Sequence, residues 1–334
     1  MIRPFARFAS PRLFGFAALV CLSLFALAAA AQQQVPPAPA QQPSAPAPSG
    51  PPVFPKPDPA NFTAATPTKE VVNGFLQTTW GFDDTRVWQV QGIVKTPVEG
   101  VAKVYVLVGD KTGKQKAGSL QFFVLPDGKH AIASDDIIQF GEHPFADDRA
   151  VLAKRADGPY RGSASKDLEL VEFADFQCPH CKDAQANMEK LAVDFPKARI
   201  VFQSYPLTKI HPSAKRAAAY GVCVAKLAGS DAFFAFAGAV FDGQEGLATA
   251  DGATLTLNSA VTKAGLDPAK VGDCAASPAT GEAVDASVKL AEDLSIIQTP
   301  VLMVNGRPVS VAGVPYDTLK QIVAFQAKLD GVAQ

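Results

Sequence analysis

The sequence has almost no excess charge of either sign. Its 31 lysine and arginine residues nearly balance 32 aspartate and glutamate residues, for a formal net charge of −1. Proteins that bind nucleic acid through its phosphates carry a basic excess, so nucleic acid is excluded as a partner. The sequence also lacks a glycine-rich phosphate loop and a dinucleotide-binding fingerprint, and no organic cofactor is expected.

Cysteine and histidine are scarce as well, with five and four residues in a chain of 334. A zinc site needs about four ligands, commonly from a second Cys-x-x-Cys or a paired histidine motif. His130, His143 and His211 have no such spacing. No metal site is therefore expected.

The N-terminus has the pattern of a secretory signal. Three arginines among the first twelve residues precede an apolar stretch at residues 13–30, which ends in a run of alanines before Gln32. This pattern predicts a signal peptide over residues 1–31 and a mature protein in the periplasm or another extracytoplasmic compartment. Because the apolar stretch approaches a membrane-spanning length, an uncleaved membrane tether is the alternative.

A spacer and a small domain follow the leader. Residues 32–62 are rich in proline, alanine and glutamine, which predicts a disordered spacer. Within residues 63–150, the apolar spacing predicts a helix over residues 69–81, followed by four strands. The predicted strands are residues 87–94, 101–108, 120–125 and 130–134. We therefore expect a small α+β domain, with His143 and the acidic pair at 147–148 in a solvated loop that leads out of it.

The most informative stretch is CPHC at residues 178–181, between a predicted strand at 168–176 and a predicted helix at 181–195. Two cysteines with this spacing can alternate between a dithiol and a disulfide. Unpaired N–H groups and the helix dipole stabilise a thiolate at a helix start, so Cys178 is predicted to be the exposed nucleophile with a low pKa. Cys181, one turn further inward, is predicted to be the resolving thiol.

The two residues between the cysteines favour the reduced form. Pro179 fits the first turn of a helix without loss of a hydrogen bond, and His180 places an imidazole near the Cys178 sulfur. A stabilised reduced form makes the disulfide a strong oxidant. Half of a zinc site or a purely structural disulfide are the alternatives for this motif.

The segment VEFADFQCPHC resembles the active site of DsbA-type thiol–disulfide oxidoreductases, which have a thioredoxin fold with a helical insertion. The resemblance spans roughly residues 168–329, and it implies a catalytic domain at 151–331 with the insertion at about 208–290. It also implies that Glu172 is an acidic residue beneath the active site that exchanges protons with the inner cysteine. An ordinary strand-edge carboxylate is the alternative for Glu172 and the preferred interpretation for Asp175.

The resemblance extends to a second segment, QTPVLMVNG. Thr299 and Pro300 match the cis-proline loop that faces the disulfide in this family, and a strand at 301–304 and a hairpin turn at 305–306 follow. This match implies that the Thr299 backbone pairs with an extended substrate segment beside the sulfur.

The small N-terminal domain is similar to the cystatin-like domain that precedes the thioredoxin domain in the DsbC and DsbG isomerases. This similarity implies a homodimer formed through the N-terminal domain. A capping or spacing domain without dimerisation is the alternative.

Cys223 and Cys274 are the cysteines left once the redox pair and Cys21 in the leader are set aside. We expect them to form a structural disulfide within the helical insertion. Such a bond would close a loop of about fifty residues and add on the order of 4 kcal/mol of stability. Two buried free thiols, or a second redox-active pair, are the alternatives.

These features predict an enzyme, a protein thiol–disulfide oxidoreductase that acts on cysteine-containing secreted proteins and is reset by a redox partner. The oxidising direction is favoured over that of a dimeric isomerase or reductase. The alternative from another class of function is a periplasmic holdase or a copper(I)-handling protein with Cys178, His180 and Cys181 as soft ligands.

Overall fold

The computed structural model describes residues 52–113 and 117–332, which fall within one compact unit at residues 47–334. The predicted signal peptide, Cys21 and most of the predicted spacer lie outside the described residues. The end of the spacer, residues 52–62, packs against the N-terminal sheet. The Gln91 side-chain amide donates to the Pro55 carbonyl over 3.1 Å, and Phe62 forms a β-bridge with Ile93.

The N-terminal lobe, residues 52–113 and 117–140, consists of one helix on an antiparallel sheet of five strands in sequential order. The elements are α1 (Lys69–Trp80), β1 (Arg86–Lys95), β2 (Ala102–Asp110), β3 (Gly118–Val124), β4 (His130–Ala133) and β5 (Asp136–Gln139). Thr68 begins α1 by accepting the Val71 N–H, and Val72, Phe75 and Leu76 are buried on the helix face that covers the sheet. The separate α+β lobe is as predicted, but β5 was not predicted, because its residues are largely exposed.

A helix replaces part of the predicted linker loop. Residues 146–155 form α2 (Ala146–Arg155), so the loop prediction is wrong for the acidic pair at 147–148, although His143 does lie in a loop. The helix begins after Phe145 without a side-chain cap, and no capping signal marks its start in the sequence. Asp147 and Asp148 lie in the first turn, where carboxylates interact favourably with the helix dipole.

The C-terminal lobe, residues 146–332, is built on a mixed sheet of five strands. Its strands are β6 (Tyr160–Gly162), β7 (Glu169–Ala174), β8 (Arg199–Ser204), β9 (Val301–Val304) and β10 (Arg307–Ser310), in the order β10-β9-β7-β8-β6. Between the parallel strands β7 and β8 lies α3 (Pro179–Asp194), and α8 (Tyr316–Leu329) follows β10. A central strand and helix followed by an antiparallel hairpin and a final helix is the thioredoxin fold, which confirms the predicted fold class.

Four helices are inserted between β8 and β9, and we call them the helical subdomain. They are α4 (Ala214–Asp242), α5 (Ala250–Lys263), α6 (Pro268–Ala275) and α7 (Pro278–Asp293). The helix α4 is broken at Gly229, where φ is 81°, and resumes beyond it. Glycine adopts this backbone conformation without steric cost. Among the described residues, α4 is the one helix long and apolar enough to span a membrane by length and composition, and many of its side chains lie in the subdomain core.

A disulfide joins two helices of this subdomain. Cys223 on α4 is bonded to Cys274 on α6, 51 residues further along the chain. Cys223 is fully buried in the apolar core, and Cys178 and Cys181 are the free cysteines of the described chain. The bond therefore cross-links the long helix that follows β8 to a later part of the same insertion.

One buried arginine connects the two lobes. Arg307, at the start of β10, is 4% exposed and donates through its guanidinium to the carbonyl oxygens of Thr78 and Thr79, at the C-terminal end of α1. Its Nε donates to the side chain of Gln326 over 2.9 Å, and the guanidinium lies 4.4 Å from the ring centre of Phe145. A cation at a helix C-terminus satisfies carbonyls that have no partner within the helix.

Replacing Arg307 with methionine should therefore destabilise the whole unit. The change keeps an apolar side chain of similar length but leaves two helix-end carbonyls without their donor, which should lower the free energy of unfolding by about 2–4 kcal/mol. Urea unfolding measures this loss. Arg155→Met is the matched control, because Arg155 pairs with Asp293 where both side chains are more than one-third exposed, and its loss should cost less than about 1 kcal/mol. Equal, small losses for both variants would contradict the role of Arg307.

Candidate active site

The two free cysteines lie where the central strand meets the first helix of the thioredoxin fold. Strand β7 ends at Ala174, and Cys178 is the N-cap residue of α3, with an extended backbone conformation. Both thiols are buried, with Cys178 5% exposed and Cys181 0% exposed. The prediction of an exposed Cys178 is therefore wrong for the dithiol form, because the loop that contains Thr299 covers the sulfur. The Thr299 carbonyl oxygen lies 3.6 Å from the Cys178 sulfur.

The surroundings of Cys178 stabilise its thiolate. A hydrogen bond donated by the Cys181 thiol is the largest cause, and it lowers the pKa of Cys178 to about 5 against the opposing effect of burial. The Thr299 side chain and the backbone N–H groups of Cys181 and His180 lower this pKa further. In the structure His180 acts through its backbone while its side chain is exposed, so a role for the imidazole stays a prediction. Pro179, also exposed, occupies the first position of the helix, as expected from its fixed φ.

Cys181 has the opposite properties. Burial raises the pKa of its thiol far above the ordinary value, and the hydrogen bond that it donates to Cys178 raises it further. The Asp175 backbone N–H donates to the Cys181 sulfur over 3.4 Å. The pair is therefore strongly asymmetric, with a thiolate at the more accessible position and a neutral thiol beneath it.

Glu172 lies on the central strand β7, within the protein interior. It is 3% exposed, and burial raises its pKa to about 7, although a hydrogen bond from Gln185 and the charge of Arg161 both oppose this shift. The Gln185 amide donates to the Glu172 carboxylate over 2.9 Å and to the Cys181 carbonyl over 3.1 Å. The carboxyl group is therefore joined to the first turn of α3 through one side chain.

The loop that faces the cysteines precedes β9, which is paired with β7 in the sheet. The Thr299–Pro300 peptide bond is cis, and β9 begins immediately after it. Asn305 and Gly306, both with positive φ, form the turn that leads from β9 to β10. The structure thus brings Thr299 and Pro300 to the Cys178 sulfur from a position 121 residues away in the sequence.

Asp175 is more than the strand-edge carboxylate that was expected. It is 1% exposed, and its carboxylate accepts the backbone N–H of Gln177 over 2.7 Å and that of Leu207 over 2.8 Å. Its second oxygen also lies 2.8 Å from Nδ1 of His211. An aspartate two residues before an N–H that it accepts forms an Asx turn, a local signal that could have revealed its role in shaping the loop before Cys178. His211 carries no comparable signal, because its partner lies 36 residues earlier.

The described residues contain no group of three or more His, Cys, Asp or Glu side chains that could hold a metal ion. Of the soft ligands considered for copper(I), His180 points into solvent, whereas Cys178 and Cys181 are buried. The arrangement in this structure is that of a dithiol pair in which each sulfur has a distinct acidity.

The family model described as Thioredoxin matches residues 154–324, just over half of the chain. Among curated proteins, the Na(+)/H(+) antiporter NhaA 3 of Salinispora tropica is 30% identical over 147 residues, or 44% of this chain and 21% of the antiporter. The chain thus spans about a fifth of that relative's length.

The solved structures to which the chain is similar have lower sequence identity. ScsC of Proteus mirabilis in a transitional conformation is 22% identical, with a TM-score of 0.45, over 54% of this chain and 81% of that chain. The thiol–disulfide exchange protein α-DsbA2 of Wolbachia pipientis is 21% identical, also with a TM-score of 0.45, over 53% of this chain and 94% of that chain.

The raised pKa of Glu172 predicts a pH dependence of stability. The pKa of Glu172 is about 7 in the folded protein against 4.5 for an ordinary glutamate. Its contribution to the free energy of unfolding is therefore fully present below about pH 4.5 and is lost as the pH rises through about 7. The loss should amount to at most about 3 kcal/mol, and Glu172→Gln should abolish it.

Urea unfolding of the oxidised protein at several pH values measures this effect, since neither redox cysteine then carries a titrating thiol. The variant minus wild-type difference cancels the contributions of the histidines. Asp183→Asn, an exposed carboxylate on α3, is the control and should preserve the wild-type pH profile. Parallel profiles of wild type and Glu172→Gln between pH 4.5 and 7 would show that Glu172 ionises normally.

Proposed function

The chain belongs to the thioredoxin family, and on that premise we propose that it is an extracytoplasmic enzyme that donates disulfide bonds to secreted proteins through Cys178 and Cys181. Family membership supports the prediction of a thiol–disulfide oxidoreductase, which is part of the proposal. The oxidising direction, the compartment, the protein substrates and the roles of individual residues are the content of the proposal.

The asymmetry of the two thiols is the observation that carries this proposal. A Cys178 pKa of about 5 means that the reduced enzyme holds a stabilised thiolate at neutral pH. Whatever stabilises the reduced form makes the corresponding disulfide easier to reduce, and therefore a stronger oxidant of its substrates. A low pKa also makes Cys178 the better leaving group when a mixed disulfide is resolved by the substrate.

The reaction proceeds by two thiol–disulfide exchanges. A substrate thiolate attacks the Cys178 sulfur, the Cys178–Cys181 bond breaks, and Cys181 leaves as a thiolate that takes up a proton. A mixed disulfide now joins the substrate to Cys178. A second substrate thiolate attacks the substrate sulfur of this bond, forms the substrate disulfide and releases Cys178 as a thiolate. Two electrons have then passed from the substrate to the enzyme, and a redox partner must remove them.

Two neighbouring groups would assist these steps. Glu172, whose pKa is about 7 and whose partner Gln185 also contacts the Cys181 carbonyl, would supply the proton that the Cys181 thiolate takes up. The Thr299 backbone, whose carbonyl oxygen lies 3.6 Å from the Cys178 sulfur, offers a partner for the main chain of an extended substrate segment.

A disulfide isomerase or reductase is the second candidate. It is favoured by the N-terminal α+β lobe, which would pair subunits in a dimeric isomerase and hold a client near the active site. The same chemistry runs in reverse when reduced Cys178 attacks a wrongly paired disulfide. Dimerisation, the secretory signal and a membrane tether stay predictions at this point.

The assignment of nucleophile and resolving thiol can be tested by trapping. Reduced Cys181→Ala, mixed with a disulfide-linked peptide, should accumulate a stable adduct at Cys178, because no second thiol is present to release it. Reduced Cys178→Ala is the matched control, and it should react at least about a hundredfold more slowly, because Cys181 is buried and mostly protonated. Peptide mapping by mass spectrometry identifies the modified cysteine.

Adducts that form preferentially at Cys181 would reverse the two roles. If neither variant forms an adduct while both are folded, the thiols do not exchange with disulfides. That result would favour the holdase or copper(I)-handling alternative.

A further inference from the structure

A glutamine of the helical subdomain holds the backbone of the active-site turn. Gln244 begins a short 3-10 helix (Gln244–Ala248) directly after α4 and is half-buried. Its side-chain amide donates to the carbonyl oxygen of Phe176 over 2.8 Å and to that of Cys178 over 2.9 Å. Both amide hydrogens are therefore directed at the turn that carries the nucleophile, from a position 66 residues later in the chain.

A second set of hydrogen bonds runs from the active-site turn to the same 3-10 helix and to the start of α4. The Gln177 amide donates to the Leu247 carbonyl over 3.2 Å, and its side-chain oxygen accepts the Ser213 N–H over 2.9 Å. The Ser213 hydroxyl also donates to the Leu247 carbonyl, over 2.8 Å. Because both partners of Gln244 are carbonyl oxygens, only its NH₂ group can face them, which makes a carboxylate at this position unsuitable.

The ring of Phe176 gives this connection a rigid apolar support. It is 1% exposed, stacks on Phe202 of β8 at a centroid distance of 5.1 Å, and meets Phe236 and Phe241 of α4 at 5.8 and 5.3 Å. The side chain of Phe176 is thus fixed in the core that the helical subdomain shares with the sheet. Its carbonyl is fixed by Gln244 of the same subdomain.

The Cys178 carbonyl matters for the charge of the nearby sulfur. It already accepts the N–H groups of Cys181 over 3.1 Å and Lys182 over 3.3 Å, as the first acceptor of α3. The negative end of a carbonyl dipole close to a thiolate is unfavourable unless donors compensate it. The third donor, from Gln244, adds positive potential at this point and restrains the Cys178 backbone at φ −78° and ψ 120°.

We propose that Gln244 is a positioning residue for Cys178, through which the helical subdomain holds the nucleophile in the orientation that stabilises its charged form. The proposal rests on the proposed redox function of Cys178 and adds a reason for the insertion to lie beside the active site. The ionisable groups of the 3-10 helix and its approach, Asp242 and Glu245, are exposed. Those that face the turn itself, Asp175 and His211, are left unchanged by the variants below.

Gln244→Leu and Gln244→Glu test the proposal. The first removes both donors at similar volume, and the second places a carboxylate against two carbonyl oxygens. The readout is the ultraviolet absorbance of the Cys178 thiolate, titrated against pH in the reduced full-length protein. Gln244→Leu should raise the midpoint by about 0.5–1 unit, a three- to tenfold lower thiolate-to-thiol ratio at a given pH, as expected for the loss of about one net hydrogen bond. Gln244→Glu should raise it at least as far.

Glu245→Gln, a substitution at an exposed position of the same 3-10 helix, is the control and should leave the midpoint unchanged. Thermal unfolding of each variant separates a structural effect from an effect on the thiol. If both Gln244 variants lose stability but keep the wild-type titration, Gln244 is a structural residue and the proposal is wrong. If neither variant folds, the same titration is made on Gln244→Asn, whose shorter amide cannot reach both carbonyls. A wild-type midpoint in folded Gln244→Asn would also show that the proposal is wrong.

The proposed function and this inference fail in different ways. A wild-type midpoint near the ordinary thiol value of 9.0 would remove the basis of the proposed function, whatever Gln244 does. A wild-type midpoint near 5 that does not move in any folded Gln244 variant would overturn only the role of Gln244.

Discussion

The hydrogen bond from the Cys181 thiol to the Cys178 sulfur is the interaction on which the chemistry of this site depends. It is strongest when the Cys178 sulfur is charged and the Cys181 thiol is neutral. Burial keeps the Cys181 thiol neutral, while hydrogen-bond donors at the start of α3 stabilise a negative charge on Cys178. When the two cysteines form a disulfide this stabilisation is lost, and that loss is the physical basis of the proposed oxidising direction.

Three parts of the fold maintain this arrangement. A short loop joins the end of the central strand β7 to the start of α3, where both cysteines lie within one helical turn. The loop before β9, which contains Thr299, covers the Cys178 sulfur and keeps it buried. The helical subdomain holds the backbone from the side through Gln244, and its own two halves are cross-linked by Cys223 and Cys274. The N-terminal lobe is tied to the edge strand β10 by Arg307, and so belongs to the same compact unit.

Features encoded in adjacent residues could be predicted from the sequence. CPHC between an apolar strand and an amphipathic helix indicated the β7–α3 junction, and the Asn-Gly pair after residues 301–304 indicated the β9–β10 hairpin. The helix α2 was missed, because its start lacks a capping side chain. The bonds from Gln244 to the active-site turn, and from His211 to Asp175, join residues 66 and 36 positions apart, and no local pattern could reveal which polar side chains the fold would bring together.

The equilibrium between the Cys178–Cys181 pair and a glutathione redox buffer tests the central claim most directly, measured on the chain without its predicted leader and with Cys223 and Cys274 left bonded. A disulfide destabilised by an acidic Cys178 should have a reduction potential close to that of strong disulfide donors, about −120 mV. A potential at or below about −200 mV would contradict the account, because the contacts that stabilise the thiolate would then not make the protein an oxidant.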